Sequence, residues 1–250
     1  MFNLAPVPVP DLSGRTVLVT GADRGIGAEL VRILVASGAQ VFAGTHGPAE
    51  PMPGEAQQIP LDVTSQSSVD AALAIVAAKA GKLDVLVNNA GTITPIGPLV
   101  SLPSDALAPA FSINVIGLHR VTLAALPLLR ASKGTVVNAG TGAATTAMEG
   151  WTAYCTSKAA ARMMTQMFVL ELGPLGVKSF FIGIPPTDTA MQAEIRAAGL
   201  NPISKIPQDQ LVPTRVPASV MAYLCSAEAQ DIDEPLLDVR QERFTAMMPL

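Results

Sequence analysis

The segment TVLVTGADRGIG, residues 16–27, decides the fold, because it joins a strand-like apolar run to a glycine-rich turn. Its first five residues favour a buried strand, and IGAELVRILVAS (26–37) has the apolar spacing of a helix. Between them, Gly21, Gly25 and Gly27 permit a tight turn and a close approach of backbone to ligand. The free N–H groups at the start of the helix favour an anion. The turn therefore predicts a nucleotide-phosphate site, although its G-x-x-x-G-x-G spacing also suits a purely structural turn.

The same alternation of apolar strands and helices continues along the chain. Strands are predicted at 16–20, 40–45, 58–63, 83–91, 134–140, 178–184 and 236–239. Helices are predicted at 26–37, after Thr64 or Ser65, at 108–130, from about 152 to 172, and at 217–227. Continuous apolar strands that alternate with helices favour a parallel sheet covered on both faces. Right-handed crossovers then give an α/β fold, a single-domain doubly wound sheet of about seven strands.

Composition narrows the function classes. Of 250 residues, 49% are hydrophobic and 14% charged, which favours a large core over disorder. The net charge is −4 and no Lys/Arg run stands out, so we expect no nucleic-acid partner. No stretch approaches 18 uninterrupted apolar residues, and we expect no membrane span. The two cysteines predict neither a disulfide framework nor a metal site. With no basic region of a secretory signal at the start, we expect a cytoplasmic protein.

The least regular part is 185–216, which contains five prolines. It follows a predicted strand at the edge of the sheet where doubly wound folds bind ligands. We interpret it as a substrate-covering loop, with a plain surface insertion as the alternative.

The end of the second strand predicts the nucleotide. An acidic residue there would bind the ribose hydroxyls and repel a 2′-phosphate. Here Thr45 and His46 follow the strand, and no acid occurs before Glu50. Arg24 lies in the glycine turn, where a guanidinium can reach a phosphate. Both features favour NADP(H) over NAD(H), although Arg24 also fits a solvated surface residue and His46 a polar loop residue.

The stretch WTAYCTSKAA, residues 151–160, places Tyr154 four residues before Lys158. It has no Gly or Pro, and on a helix these two side chains lie on one face, one turn apart. Alone, the pair also fits a tyrosine at the edge of a core and a lysine in solvent.

Four elements in order resemble the short-chain dehydrogenase/reductase family. They are TGADRGIG (20–27), NNAG (88–91), Asn114 in FSINVIG, and YCTSK (154–158). The resemblance covers about 13–240. It implies a Rossmann-type fold and an NADP(H)-dependent oxidoreductase that interconverts a carbonyl compound and an alcohol.

The resemblance also implies roles. Tyr154 is the acid/base at the carbonyl oxygen, and Lys158 lowers the pKa of the phenol and binds the nicotinamide ribose. Asn114 holds a water, and Thr141 stands where the family usually has a serine, keeping the hydroxyl. The implied cofactor-binding residues are Gly21, Asp23, Arg24, Gly25, Ile26, Gly27, Thr45, Asp62, Val63, Asn88, Ala90, Gly91, Tyr154, Lys158, Thr187 and Thr189. Among them Asp62 resembles the adenine contact, and it also fits a helix cap.

The chain departs from the family pattern after the sixth strand. Pro185-Pro186 replaces the usual Pro-Gly, so the loop must run differently. With the exchange at Thr141, this leaves an alternative function, a nucleotide-binding regulatory or structural protein with little or no turnover. Another reaction on the same scaffold, such as epimerisation or enoyl reduction, is a third possibility.

The expected substrate pocket is mostly apolar. Its residues are Thr92, Ile93, Ala143, Met148, Trp151, Met191 and Ile195. The set contains no Arg or Lys to bind a carboxylate, which favours a neutral ketone or aldehyde.

The helices at 108–130 and 152–172 carry apolar residues that we expect to face outward. These residues are Leu123, Leu126, Met163 and Met167. In relatives the two helices pair with a second subunit, which predicts a homodimer or homotetramer.

Overall fold

A computed structural model describes residues 3–249 and contains one seven-stranded sheet in the order β3-β2-β1-β4-β5-β6-β7. The strands are β1 (Thr16–Thr20), β2 (Gln40–Thr45), β3 (Gln57–Pro60), β4 (Val85–Asn88), β5 (Thr135–Thr141), β6 (Lys178–Ile184) and β7 (Leu236–Asp238). All six neighbouring pairs are parallel. The strand order reverses between β1 and β4, and this switch point positions the ligand site at their carboxyl ends.

Helices cover both faces of the sheet. They are α1 (Gly25–Ala36), α2 (Gln66–Ala80), α3 (Ala108–Phe111), α4 (Leu118–Ser132), α5 (Thr152–Leu172), α6 (Ala190–Ala198), α7 (Arg215–Tyr223) and α8 (Glu242–Thr245). One hydrophobic cluster buries α1 and α7 against the sheet, and a second buries α2, α4 and α5. The doubly wound, single-domain class is confirmed.

Several predicted boundaries were wrong for local reasons. β3 ends at Pro60 rather than at 63, because the chain then turns with the Thr64 amide bonded to the Asp62 carboxylate at 2.8 Å. β4 ends at Asn88 rather than at 91, because the amides of Asn89 and Ala90 bond the Thr20 side chain instead of a neighbouring strand. The segment 185–216 is more regular than predicted, since it contains α6.

The helix predicted at 108–130 is present but is not uniform. A π-helical turn at Ser112–Gly117 lies between α3 and α4, and Asn114 is inside it. By length and composition, Ser104–Ser132 could cross a membrane, but 44% of its most apolar window is buried inside this protein. Packing on the sheet accounts for these buried apolar residues.

The connection from β2 to β3 contains neither helix nor strand over the described residues 46–56. Parallel strands are usually joined by a crossover helix. Here Pro48, Pro51 and Pro53 interrupt any helical run. We call residues 46–56 the β2–β3 strap.

The outer surface of α4 and α5 is partly apolar, as predicted. Leu123, Met163 and Met167 have exposed fractions of 44%, 58% and 40%, and Leu170 reaches 68%. Leu126 differs from the prediction, because it is partly buried against the second cluster.

Backbone segments approach most closely at the switch point. A Cβ on Gly27 would lie 2.2 Å from the Gly21 carbonyl oxygen, and one on Gly21 would lie 2.7 Å from Ala90 Cα. Gly21 also has a φ of +60°, which disfavours other residues. The three segments fit together only without side chains at these positions.

We expect Gly27→Ala to lower the free energy of unfolding by about 1–3 kcal/mol, because the added methyl overlaps a backbone oxygen. Gly54→Ala is the control, since a Cβ there meets nothing within 4 Å and should change stability by less than about 0.5 kcal/mol. Urea denaturation of both variants measures the difference. Equal midpoints for the two variants would contradict the close approach.

Candidate active site

A cleft of about 1300 Å³ opens at the carboxyl ends of the central strands. The glycine turn, the ends of β4, β5 and β6, the start of α5, and α6 form its walls. The volume exceeds that of a typical small-molecule pocket, so the cleft can hold an extended ligand.

Most of the predicted site residues line this cleft. They are Gly21, Asp23, Arg24, Gly25, Ile26, Gly27, Asp62, Val63, Ala90, Gly91, Thr141, Tyr154, Lys158, Thr187 and Thr189. All seven predicted pocket residues line it as well. Three predicted residues, Thr45, Asn88 and Asn114, do not form part of its wall.

The side chains of Asn88 and Thr45 make their hydrogen bonds away from the cleft. The Asn88 amide is buried and donates to Thr122 at 3.0 Å and to Asn138 at 2.9 Å, so it links β4 to α4 and β5. Alternation along the strand explains this, because Asn88 and Asn89 point in different directions. Asn89 lines the cleft instead. The Thr45 side chain is turned toward β3, where it accepts from Gln58 at 3.2 Å.

Asn114 lies immediately behind the cleft wall. Its side chain donates to the Thr92 carbonyl and accepts from the Thr92 amide, both at 2.9 Å, and it donates to Ser157 at 2.9 Å. A Cβ on Gly91 would lie 3.3 Å from Asn114 Oδ1 and 3.6 Å from Lys158 Nζ. Asn114 therefore fixes the wall beside Lys158.

Tyr154 and Lys158 lie together on the first turns of α5, as predicted, and both are buried. Lys158 Nζ donates to the Ala139 carbonyl at 2.9 Å and lies 5.9 Å from the centre of the Tyr154 ring. The Trp151 ring meets the Tyr154 ring edge-on at 5.6 Å. Packing therefore holds the phenol and the ammonium in fixed positions at the cleft.

The expected lowering of the Tyr154 pKa is not found in this structure. Burial raises the pKa of Tyr154 to about 12, and a hydrogen bond with the Thr141 side chain lowers it by less. The Lys158 ammonium donates to a carbonyl rather than to the phenol. Tyr154 is therefore protonated at neutral pH and can serve as a proton donor.

The pKa of Lys158 is shifted downwards. Burial lowers its pKa to about 8, because an ammonium loses hydration in the protein interior. The two groups have pKa values pushed apart, which is typical of acid and base partners at functional sites.

The two departures from the family pattern leave the site intact. Thr141 keeps its hydroxyl at the cleft, where it bonds Tyr154 and accepts from the Ala143 amide at 3.3 Å. The loop after Pro185-Pro186 is held by a parallel bridge between Thr187 and Val212. The Val212 amide donates to the Pro186 carbonyl at 3.0 Å, so the second proline fixes the loop through its acceptor.

The glycine turn fits a dinucleotide phosphate. A Cβ on Gly25 would lie 3.5 Å from Thr189 Cγ2, so turn and loop face each other across a narrow gap. Arg24 makes no side-chain cap on α1, and helix geometry leaves the amides of Ile26 and Gly27 without intrahelical acceptors. Asp62 lines the far end of the cleft, while Ser65 rather than Asp62 caps α2.

An apolar cluster packs around Tyr154. It contains Ile93, Ala143, Trp151 and Ile195, with Met148 and Met191 packed against it. This confirms the apolar character expected for the pocket.

Sequence reasoning missed other polar residues at the cleft. Arg196 on α6 lines it, and one guanidinium nitrogen is buried with no hydrogen-bond partner within residues 3–249. Glu50, on the β2–β3 strap, accepts from the Gly25 amide at 2.9 Å. The sequence did contain a signal for Glu50. The connection between the second and third strands is short and interrupted by prolines, so it cannot form a crossover helix. In the described part of the chain, no three His, Cys, Asp or Glu residues cluster as metal ligands.

Comparisons with known proteins agree with this geometry. The family model described as short chain dehydrogenase matches residues 15–199. The 3-oxoacyl-(acyl-carrier-protein) reductase of Vibrio harveyi is 31% identical over 240 residues, covering 92% of this chain and 97% of that protein.

Two solved structures extend the comparison. A short chain dehydrogenase/reductase from Saccharomyces cerevisiae superposes with a TM-score of 0.85 at 26% identity, covering 94% of this chain and 100% of that one. A short chain dehydrogenase from Burkholderia cenocepacia in complex with NADP has a TM-score of 0.75 at 25% identity, covering 90% and 88% of the two chains.

The chain belongs to the short-chain dehydrogenase/reductase family. It is an oxidoreductase of the class that binds a nicotinamide cofactor and acts on small molecules.

The lowered pKa of Lys158 predicts how stability varies with pH. Between pH 8 and about 10, the folded state has lost this proton while the unfolded state, with a pKa of 10.5, retains it. The unfolded state then binds more protons, so the free energy of unfolding rises with pH, by up to about 1.4 kcal/mol per unit. The raised pKa values of Cys155 and Cys225 act oppositely from about pH 9, where an unfolded thiol ionises, and that of Tyr154 acts oppositely above pH 10.

We expect the slope of stability against pH to be lower in Lys158→Met than in wild type between pH 8 and 9.5, because the variant has no ammonium to deprotonate. Lys79→Met, an exposed lysine on α2, should retain the wild-type slope. Urea denaturation at pH 7, 8, 9 and 9.5 measures the slope for each protein. Parallel curves for wild type and Lys158→Met would show that Lys158 titrates normally.

Proposed function

We propose that this protein is an NADP(H)-dependent carbonyl reductase that reduces a neutral ketone or aldehyde to an alcohol, or catalyses the reverse. The observation that carries the proposal is the buried Tyr154 at the cleft, with the Thr141 side chain close enough to lower its pKa and Lys158 one helical turn away. A proton donor, a second hydroxyl and a cation at one point suit a developing alkoxide.

The proposed mechanism assigns a task to each residue. The glycine turn and the loop carrying Thr187 and Thr189 would hold a nicotinamide cofactor, which would supply the hydride. Tyr154, protonated at neutral pH, gives its proton to the carbonyl oxygen as that oxygen gains negative charge. Thr141 donates a hydrogen bond that orients the oxygen. Lys158, cationic below pH 8, stabilises the phenolate left on Tyr154.

The preference for NADP(H) rests on Arg24. Its side chain is exposed at the cleft, and β2 ends in Thr45 with no carboxylate directly after it. A guanidinium there can pair with a 2′-phosphate. The related Burkholderia cenocepacia protein was solved with NADP, which supports this choice.

The proposal of a neutral substrate rests on the apolar cluster around Tyr154. Arg196 adds a cation to the same cleft, so a neutral ketone should be assayed beside the keto acid of the same skeleton. If the substrate is neutral, the protein reduces the ketone faster than the keto acid. Faster reduction of the keto acid would indicate that Arg196 binds a substrate carboxylate.

We further propose that α4 and α5 form a subunit interface in a homodimer or homotetramer. Their exposed methionines and leucines form an apolar surface that association would bury. Cytoplasmic localisation remains a prediction from the sequence.

Tyr154→Phe should bind NADPH as wild type does and lose turnover by about 10²–10⁴-fold, because only the donated proton is missing. The chain has two tyrosines, so Tyr223→Phe is the matched control. Tyr223 packs edge-on against Phe244, away from the cleft, and its variant should keep full activity. Nucleotide fluorescence measures binding, and a ketone-dependent loss of NADPH absorbance measures turnover. Undiminished turnover in Tyr154→Phe would remove the acid/base role, whereas NADPH binding by wild type without turnover would favour the regulatory alternative.

The double variant Met163→Arg, Met167→Arg should shift the protein to a monomer, because it places two cations in the proposed interface. Val100→Arg alters an exposed apolar residue outside α4 and α5, in the short 3-10 helix Leu99–Ser101, and should keep the oligomer. Light scattering after size exclusion gives the mass of each. A monomeric wild type would contradict the proposed interface.

A further inference from the structure

The β2–β3 strap folds back onto the glycine turn. The His46 amide donates to the Asp23 carboxylate at 2.7 Å, and the Glu50 amide donates to the Asp23 carbonyl at 2.6 Å. The Glu50 carboxylate accepts from the Gly25 amide at 2.9 Å. Three bonds therefore attach the strap to residues 23–25.

The cation of α1, Arg32, is shared between Glu29, which lies 3.1 Å from its Nη1, and Glu50. The second oxygen of Glu50 lies 3.1 Å from Arg32 Nη2, and the same guanidinium nitrogen donates to the Pro51 carbonyl at 3.2 Å. The bond from Gly25, more than Arg32, lowers the pKa of Glu50, so the group is a carboxylate at neutral pH. The Glu50 carboxylate thus accepts hydrogen bonds from a backbone amide in the first turn of α1 and from a guanidinium. These are the two kinds of donor that bind phosphates in proteins.

This carboxylate lies near the place of the adenosine ribose. In a doubly wound sheet the pyrophosphate rests at the start of α1, and the ribose lies beside the end of β2. The hydrogen bond from the His46 amide to the Asp23 carboxylate connects the end of β2 directly to the turn before α1. Glu50 and Arg24 both line this end of the cleft, and the positive charge of Arg24 helps to lower the pKa of Glu50.

We propose that Glu50 is a cofactor-specificity residue that opposes the 2′-phosphate of NADP(H) and offsets the attraction of Arg24. Glu50 lies in the β2–β3 strap, five residues after the end of β2, whereas the acidic residue usually considered for this role lies at the strand end itself. To bind beside Glu50, the phosphate must displace the carboxylate from the Gly25 amide and from Arg32 Nη2, and this nitrogen then becomes a second donor for it while Nη1 stays paired with Glu29. NADH lacks this phosphate and leaves Glu50 in place. This inference rests on the proposed function, because it requires a nicotinamide cofactor in the cleft.

Glu50→Gln tests the charge with little change of shape, since the amide oxygen can still accept from the Gly25 amide. We expect the Kd for NADPH to fall about tenfold and the Kd for NADH to change less than twofold. The gain for NADPH should shrink at high salt, because charges this exposed are screened. Glu55→Gln, an exposed carboxylate further along the strap, is the control and should resemble wild type.

Fluorescence titrations of wild type and both variants with each nucleotide give the four Kd ratios needed, and thermal unfolding confirms that each protein is folded. If wild type binds NADPH and Glu50→Gln binds it equally or more weakly, the role of Glu50 is overturned while the proposed function stands. A weaker affinity for NADH alone would likewise overturn the role, since Glu50 would then accept a ribose hydroxyl. If wild type binds neither nucleotide, both proposals fall.

Discussion

The close approach of three backbone segments at the switch point is the constraint on which the site depends. The Asn89 side chain donates to the carbonyls of Gly21 and Thr20 at 2.8 and 3.2 Å, and Thr20 accepts two amides from the end of β4. These bonds satisfy the polar groups left where β1 and β4 leave the sheet. They also fix the glycine turn relative to β4, and Gly91 then brings Lys158 and Asn114 to the same wall. A displaced turn would move the phosphate site and the proton-transfer site together.

Burial is the second determinant, and it acts oppositely on the two reacting side chains. It raises the pKa of Tyr154 to about 12 and lowers that of Lys158 to about 8, because each charged form loses hydration. Neutral pH therefore favours a protonated phenol beside an ammonium that is still largely charged. That pairing suits donation of a proton to an alkoxide more readily than its removal from an alcohol. The burial of Lys158 has a cost in stability, which is characteristic of sites selected for chemistry.

Sequence patterns predicted the architecture because its causes are local. Apolar strands, helical spacing and the glycine turn lie within single elements, and they gave seven strands and the doubly wound class. The pair on α5 was also readable, since four-residue spacing fixes a shared helix face. Asn88 and Asn89 could not be separated, because the register that turns one inward comes from the neighbouring strands. The pKa of Tyr154 depended on burial, and part of the cluster that buries it, Ile93 and Ile195, is distant in sequence.

Glu50 shows how a rule based on position along the chain can miss a charge. The rule for nucleotide preference considers only the residue at the end of β2. It leaves out residues further along because they usually belong to a crossover helix, which carries them away from the cleft. The connection between β2 and β3 has no such helix, and three hydrogen bonds hold its residues His46 and Glu50 against residues 23–25. A carboxylate five residues beyond the strand thereby contacts the amide at the start of α1. In the role proposed for Glu50, cofactor choice depends on the balance between Arg24, which attracts a phosphate, and the negative charge that the strap places beside it. The path of the β2–β3 connection, more than the residue at the strand end, brings this carboxylate to the start of α1, and the proposed role of Glu50 follows from that placement.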